Sequence, residues 1–182
     1  MVLFQREHLC PGHILHSRGT SLFSRLIRRA IGSWGSHDAI VVSRGGVLWI
    51  GESVSPTARL TALEEYERSA AAGKCKLRVY RPAAGTAALG LAAATWWTDH
   101  ILNSPYDWPA IPKLLLKGIL GDRWGGQAGL EWANWCTEGV ANAWREGAGL
   151  DCWKNANPTP RTTEKRLAEG ALVDVTCWCL RT

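Results

Sequence analysis

The sequence predicts an α+β fold. Three observations lead there. Stretches rich in β-branched residues and bounded by turn residues cluster over 39–50 and 76–80 and return over 171–178. Segments with helical periodicity lie between and beside them. The composition, 46% hydrophobic and 20% charged over 182 residues, is globular. A chain of this length can bury a core without disulfides or a metal. No linker, repeat or low-complexity stretch divides it, so residues 1–182 read as a single domain.

Taken in order, residues 12–15 form a short extended lead-in. Thr20 or Ser21 offers an N-cap for a helix running to about Ile31, in which Leu22, Leu26, Ile27 and Ile31 recur at helical spacing and Arg25, Arg28 and Arg29 lie mostly elsewhere. This helix is either amphipathic with a solvated basic face or a surface for an anionic substrate or membrane. Residues 32–36 are a turn cluster. Strands over 39–43 and 47–50 are joined through Arg44-Gly45-Gly46 as a hairpin. A charged helix over 61–72, a third strand over 76–80 closed by Arg81-Pro82, and a long Ala-rich helix over 86–102 come next. A short helix over 111–120 and a Gly-rich loop holding Trp124 precede a helix over 131–146, which Gly147 and Gly149 stop. Pro158 and Pro160 lead into a short helix near 163–168, and a last strand covers roughly 171–178.

Charge and composition exclude several classes. The net charge of +5 is mildly basic and favours an anionic partner, but no dense Lys/Arg run compels nucleic acid, and none is assigned. Arg6, Glu7 and His8 interrupt any apolar leader, so no signal peptide is expected. The protein reads as cytoplasmic, or delivered by a non-classical route. The longest uncharged stretch, 82–98, falls short of the roughly 20 apolar residues of a membrane span. Six cysteines without a leader read as reduced thiols, with Cys177 and Cys179 facing one side of the last strand. The run His8, Cys10, His13, His16 looks metal-like. It lacks the paired-cysteine knuckles of structural zinc sites, and only Cys177 and Cys179 offer a second half, so neither metal nor other cofactor is assigned. Eleven Trp against 3 Tyr and 2 Phe supply either core volume or stacking surface, and composition does not separate the two.

Three residues stand in surroundings that suit nucleophilic chemistry. His37 lies at the mouth of the first good strand, and Glu52 where its hairpin partner ends. Cys136 lies in the first turn of a helix for which Asn134 is the candidate cap. The thiolate is the nucleophile, and the unpaired N–H groups of a helix start favour the anion. A nearby imidazolium helps further, and a third polar group orients the imidazole. Each residue also has a plainer reading: core filler for the cysteine, a strand-end position for the histidine, a solvated terminus for the glutamate.

The order of segments resembles the circularly permuted NlpC-type branch of papain-like cysteine hydrolases, the YiiX-like family, in which the His precedes the Cys. The resemblance rests on Pro11-Gly12-His13-Ile14-Leu15, on Arg18-Gly19 with the Ser24-Arg25-Leu26-Ile27 helix, and on Ser36-His37-Asp38-Ala39-Ile40. It continues through Gly51-Glu52, Tyr80-Arg81-Pro82, Ser104-Pro105-Tyr106-Asp107-Trp108 and Trp135-Cys136-Thr137-Glu138, and on to the Pro-led short helix after Pro158. It covers almost the whole chain. It implies a permuted papain-like fold with a small antiparallel sheet or partial barrel packed against helices. It also implies Cys136 as nucleophile, His37 as general base, Glu52 as the residue that orients it, and Tyr106 as a contributor to the oxyanion site. Ser36, Trp108 and Trp135 are placed as substrate-binding. Thr137 stands where the family's Cys-Ser-Glu motif has Ser, and His13 where the family has Asp.

In function the resemblance implies a thiol hydrolase, a cysteine peptidase or amidase of bacterial or phage type. It would act through an acyl-enzyme on cell-wall peptides or amino-acid amides. The substrate is a peptide or acyl amide, with anionic cell-wall or lipid material as a partner. An acyltransferase or esterase acting on lipids with the same residues is the alternative within the fold. A non-catalytic binding module is the alternative outside it.

Overall fold

The computed structural model describes residues 3–107, 109, 112, 135–154 and 158–181. In chain order the elements are β1 (Leu3–Phe4), β2 (Ile14–Gly19), α1 (Leu22–Ile31), β3 (His37–Arg44), β4 (Val47–Glu52), β5 (Arg59–Ala62), α2 (Leu63–Ala71), β6 (Cys75–Pro82) and α3 (Ala87–His100). After them come α4 (Cys136–Asn142), which continues as a π-helical turn over Ala143–Gly147, α5 (Pro160–Ala168), β7 (Leu172–Asp174), α6 (Thr176–Cys179) and β8 (Leu180–Arg181). The architecture is α+β. Six strands form one antiparallel sheet in the order β5-β4-β3-β2-β6-β7, open at both edges rather than closed into a barrel, and β1 pairs separately with β8. No described helix is long and apolar enough to cross a membrane.

The sheet is buried on both faces, which explains why its central strands read as continuous apolar runs. Side chains alternate across a strand, so Ile14, Ile40, Val42 and Tyr80 join one core while Leu15, Ala39, Val41 and Val79 join the other. The first core lies under α3 and α4, and α3 suits that place because its surface is apolar nearly all round. Trp97, Trp144 and Trp153 fill it, and Trp135 is equally buried. Of these four, three have their indole N–H paired: Trp144 to the Gly12 carbonyl, Trp135 to the Pro158 carbonyl and Trp153 to the Thr163 hydroxyl. Part of the tryptophan excess is therefore core volume. Truncating one such ring to alanine costs about 3–5 kcal/mol. The second core lies under α2 and the β1–β8 pair.

Local signals account for most boundaries. Ser21 caps α1 by accepting from the Ser24 N–H, and Gly32 ends it in the left-handed region. The β3–β4 hairpin turns at Gly45 and Gly46, both at positive φ, as a two-residue primed turn requires. Thr159 and Thr162 form a capping box that starts α5 at Pro160, earlier than the sequence predicts.

Three expectations are corrected. The lead-in over 12–15 is the start of a full central strand, β2, whose polar residues His16 and Ser17 are buried and break the apolar pattern. The helix expected from residue 61 begins at Leu63, because Arg59–Ala62 pair with β4 as the edge strand β5. The last strand stops at Asp174. There the Asp174 carboxylate accepts from the Thr176 N–H and starts α6, so Cys177 is exposed and Cys179 buried rather than both lying on one strand face. The helix expected over 111–120, the loop holding Trp124 and the first residues of the helix expected from 131 lie outside the described residues, Pro112 excepted.

Candidate active site

The site is assembled where β3 begins. His37 and Asp38 are consecutive strand residues, so their side chains leave opposite faces of the sheet. Helix α4 packs against β3, and its first two residues meet these two in turn. Cys136 reaches the His37 ring, and the Thr137 hydroxyl donates to Asp38 Oδ2 at 2.7 Å. Gly139, one turn further on, lets the helix come this close, because a Cβ there would stand 2.9 Å from the Ser53 hydroxyl just past the end of β4.

On one face, Glu52 at the end of β4 turns to His37. Strand pairing sets Ile40 opposite Gly51, so the next residue, Glu52, falls on the face His37 shares. His37 Nε2 and Glu52 Oε2 are 3.3 Å apart, an ion-pair distance off the line of a good hydrogen bond. Burial works against a charged His37. The Cys136 thiol and the Glu52 carboxylate outweigh it and raise the ring's pKa to about 10. Burial likewise works against the Glu52 charge, but His37, Thr61 and Tyr66 hold its pKa down to about 2. Thr61 and Tyr66 donate to its two oxygens at 2.5 Å each, and Arg59 Nε donates to Oε1 at 3.1 Å. The carboxylate is thus fixed by β5 and α2, while the His37 side chain keeps 19% of its surface open.

Tyr106 also lies within the electrostatic reach of Cys136. Burial, then the Cys136 and Asp107 charges, push its hydroxyl well above the usual phenol range, so it stays an O–H donor. Cys136 is the first residue of α4, and Trp135 holds the N-cap position without a side-chain cap. Asn134, expected to cap the helix, lies outside the described residues, as does Trp108. Ser36 is buried, and its hydroxyl accepts from the Gly19 N–H at 3.2 Å. The Trp135 ring is 1% exposed and anchored to Pro158, which makes it a packing element in this structure.

The opposite face carries a network that sequence reasoning missed. His16 on β2 lies directly across from Asp38, with Nδ1 2.6 Å from Oδ1, while Nε2 is 3.2 Å from Glu164 Oε1 on α5. Asp38 Oδ2 accepts from Thr137 and, at 2.9 Å, from Thr163. Glu164 also accepts from the Ser33 hydroxyl and from the Trp34 and Gly35 N–H groups. Burial disfavours charge on His16, but Asp38 and then Glu164 raise its pKa to about 9. The same pairing holds Asp38 below the usual carboxylate range and Glu164 at about 2, against the desolvation both pay. The only trace of this in the sequence is a histidine inside an apolar stretch.

The rest of the N-terminal histidine run lies elsewhere. His8, Cys10 and His13 meet Cys179 around a cavity of about 400 Å³, where the Cys10 N–H donates to His13 Nδ1 at 3.3 Å and the Cys179 thiol to the His8 carbonyl at 3.4 Å. Among the described residues no group of three or more His, Cys, Asp or Glu side chains is placed to hold a metal ion.

The chain therefore presents an open, helix-backed antiparallel sheet with a Cys, a His and a Glu converging from a helix start and two strand ends. No protein-family model and no curated protein matches the sequence. Among solved structures the fold is similar to that of the metalloprotein YiiX from Escherichia coli O157:H7, a DUF1105 protein, with a TM-score of 0.60 at 19% identity over 90% of this chain and 85% of that one. That likeness is one of fold.

Proposed function

We propose that this protein is a thiol hydrolase of the permuted papain-like, NlpC-type kind, with Cys136 as nucleophile, His37 as general base and acid, and Glu52 as the group that orients His37. The observation that carries the reading is the His37 ring, partly open to solvent, set between the Cys136 thiol and a carboxylate that three other groups hold in place. The sequence resemblance and the fold likeness to YiiX support it.

In the reaction, the Cys136 thiolate attacks the acyl carbonyl carbon and its electron pair moves onto oxygen. As the first residue of α4, Cys136 has a backbone N–H of the kind that helix starts offer to anions, and together with the Tyr106 hydroxyl it stabilises that oxyanion. Collapse re-forms the carbonyl and expels the amine, which takes its proton from the His37 imidazolium. Neutral His37 then deprotonates a water that attacks the thioester, and the acid leaves as the thiol is regenerated. The substrate class is a peptide or amino-acid amide of cell-wall type.

Intact mass of the protein after incubation with cell-wall peptides, acyl lipids and thioesters tests the proposal. An acyl adduct on Cys136, absent from Cys136→Ala, is the expected result, and the acyl group retained names the substrate class. Limited alkylation at pH 6 adds a second test. Cys136 should label ahead of Cys75, Cys152 and Cys179, whose thiols burial pushes up, the last two to about 11. No adduct with any class, combined with slow labelling of Cys136, would leave a binding module.

A further inference from the structure

Helix α1 presents an unusual solvent face. At about 100° per residue, Leu22, Leu26 and Arg29 fall along one stripe, with Arg25 beside it, while Ile27 and Ile31 turn inward. Leu22 is 83% exposed, Leu26 54% and Phe23 45%, and Arg25 and Arg29 are exposed among them. The helix holds no acidic residue in its first turn and two arginines in its last. No ion pair among the described residues engages Arg18, Arg25, Arg28 or Arg29. Arg28 feels burial first and then the like charges of Arg18 and Arg25, and its Nε has no hydrogen-bond partner. A soluble surface helix ordinarily sets carboxylates among such arginines and keeps leucines inward. Here a contiguous apolar edge and an uncompensated cationic edge share one exposed face.

We infer that α1 is an interfacial helix that docks the protein on an anionic lipid surface, with Leu22 and Leu26 entering the headgroup–acyl boundary and Arg25 and Arg29 resting on the lipid phosphates. The two halves of the face discriminate among occupants. A nucleic acid would answer the arginines and leave the leucines in water. A neutral apolar groove would answer the leucines and leave the arginines unpaired. An anionic bilayer answers both, since it is apolar below and negative at its surface. The chain's +5 net charge acts in the same direction. This inference stands apart from the thiol reading, because no residue of α1 belongs to the candidate site.

Co-sedimentation of the full chain with vesicles of phosphatidylcholine alone, and of phosphatidylcholine mixed with phosphatidylglycerol, tests it. Binding is expected only to the mixed vesicles and should weaken as salt rises. Arg25→Gln with Arg29→Gln should lower the partition constant roughly 25-fold, at about fivefold per surface arginine. Leu22→Ser with Leu26→Ser should lower it by about tenfold or more while the circular dichroism is unchanged. Cys136→Ala should bind as the unmodified chain does, so a failure of the hydrolase reading does not touch this one. Equal binding to neutral vesicles, no binding to either, or wild-type binding by both double variants would overturn the inference. So would capture by immobilised polyglutamate without vesicle binding, which would assign the face to an acidic protein instead.

Discussion

His16 and His37 stand on neighbouring strands of the same sheet, each turned to a carboxylate, and they differ in how much freedom the fold leaves them. His16 is wholly buried, has a carboxylate at each ring nitrogen, and lies against the Trp34 and Tyr80 rings at 5.5 and 5.4 Å. Its partners are themselves bonded elsewhere: Asp38 to two threonine hydroxyls, and Glu164, through Oε1, to a serine hydroxyl and two backbone N–H groups. His37 has one carboxylate, an imperfect bond to it, a thiol, and an opening to solvent. A buried histidine with both ring nitrogens paired has none left for a substrate, so His16 is a brace. A network left one partner short and reachable from outside is able to exchange protons. The two meet in a short relay of neighbours, since Asp38 follows His37 and Thr137 follows Cys136, so the brace adjoins the Cys136–His37 pair.

The largest effect should fall on turnover. His37→Ala should lower kcat/KM by about 10⁴-fold or more, equivalent to roughly 5.5 kcal/mol of transition-state stabilisation. The melting temperature should shift by only a few degrees, because Glu52 keeps Arg59, Thr61 and Tyr66. A large stability loss with retained activity would exchange the roles assigned to the two histidines.

Next comes the brace itself. His16→Leu leaves Asp38 and Glu164 without their shared cation in a buried site and should cost about 3–5 kcal/mol, lowering the melting temperature by on the order of 10 °C. A loss below about 1 kcal/mol in calorimetry would show that the network contributes little.

Glu52→Gln keeps the size and one acceptor oxygen but removes the charge that supports the imidazolium. A decrease in kcat/KM of roughly 10–1,000-fold is expected. Combined with His37→Ala it should add little, since a group that acts through the histidine has nothing left to orient. Full additivity would place Glu52 on the substrate rather than on His37.

Thr137→Val and Thr163→Val each remove one donor to Asp38 and should cost about 1–2 kcal/mol in denaturant unfolding, Thr163→Val the more because it also leaves the buried Trp153 indole N–H unpaired. Only Thr137 adjoins Cys136, so only Thr137→Val should also lower turnover and slow alkylation of Cys136. Equal kinetic effects from both would mean that adjacency to Cys136 carries no weight.

The most gradual effect is that of pH on stability. His16 is raised from the ordinary 6.5 to about 9, so its contribution is fully present below pH 6.5 and is lost as pH rises toward 9. Glu52 and Glu164, held near 2, contribute above about pH 4.5 and lose that contribution as pH falls toward 2. Melting curves should therefore decline on both sides of a plateau between about pH 5 and 6.5. His37, raised to about 10, loses its contribution on the same side, so His16→Gln should reduce the alkaline slope without abolishing it, and an unchanged slope would assign that side to His37 and other groups.

The sequence was most legible where the signal is local. Helix α1 with its serine cap, the Gly45-Gly46 hairpin and helix α3 with its Thr86 cap are each specified within a few residues, by propensity, capping and turn chemistry, and the structure has them. The same holds for the placement of Cys136 in a first helical turn and of His37 and Glu52 at strand ends. The segments that the sequence misread are those whose conformation depends on distant partners. β2 is a central strand although His16 and Ser17 interrupt its pattern, because Asp38 and Glu164 satisfy the histidine inside the core. Residues 59–62 extend as a strand because β4 offers an open edge. Residues 176–179 turn into a helix because Asp174 and Val79 give Thr176 its hydrogen bonds. Residue types alone determined which groups could act as nucleophile, base and orienting carboxylate. Their convergence was a tertiary decision, because hydrogen bonding and burial at a site built from β2, β3, β4, α4 and α5 depend on distances in space that no spacing along the chain encodes.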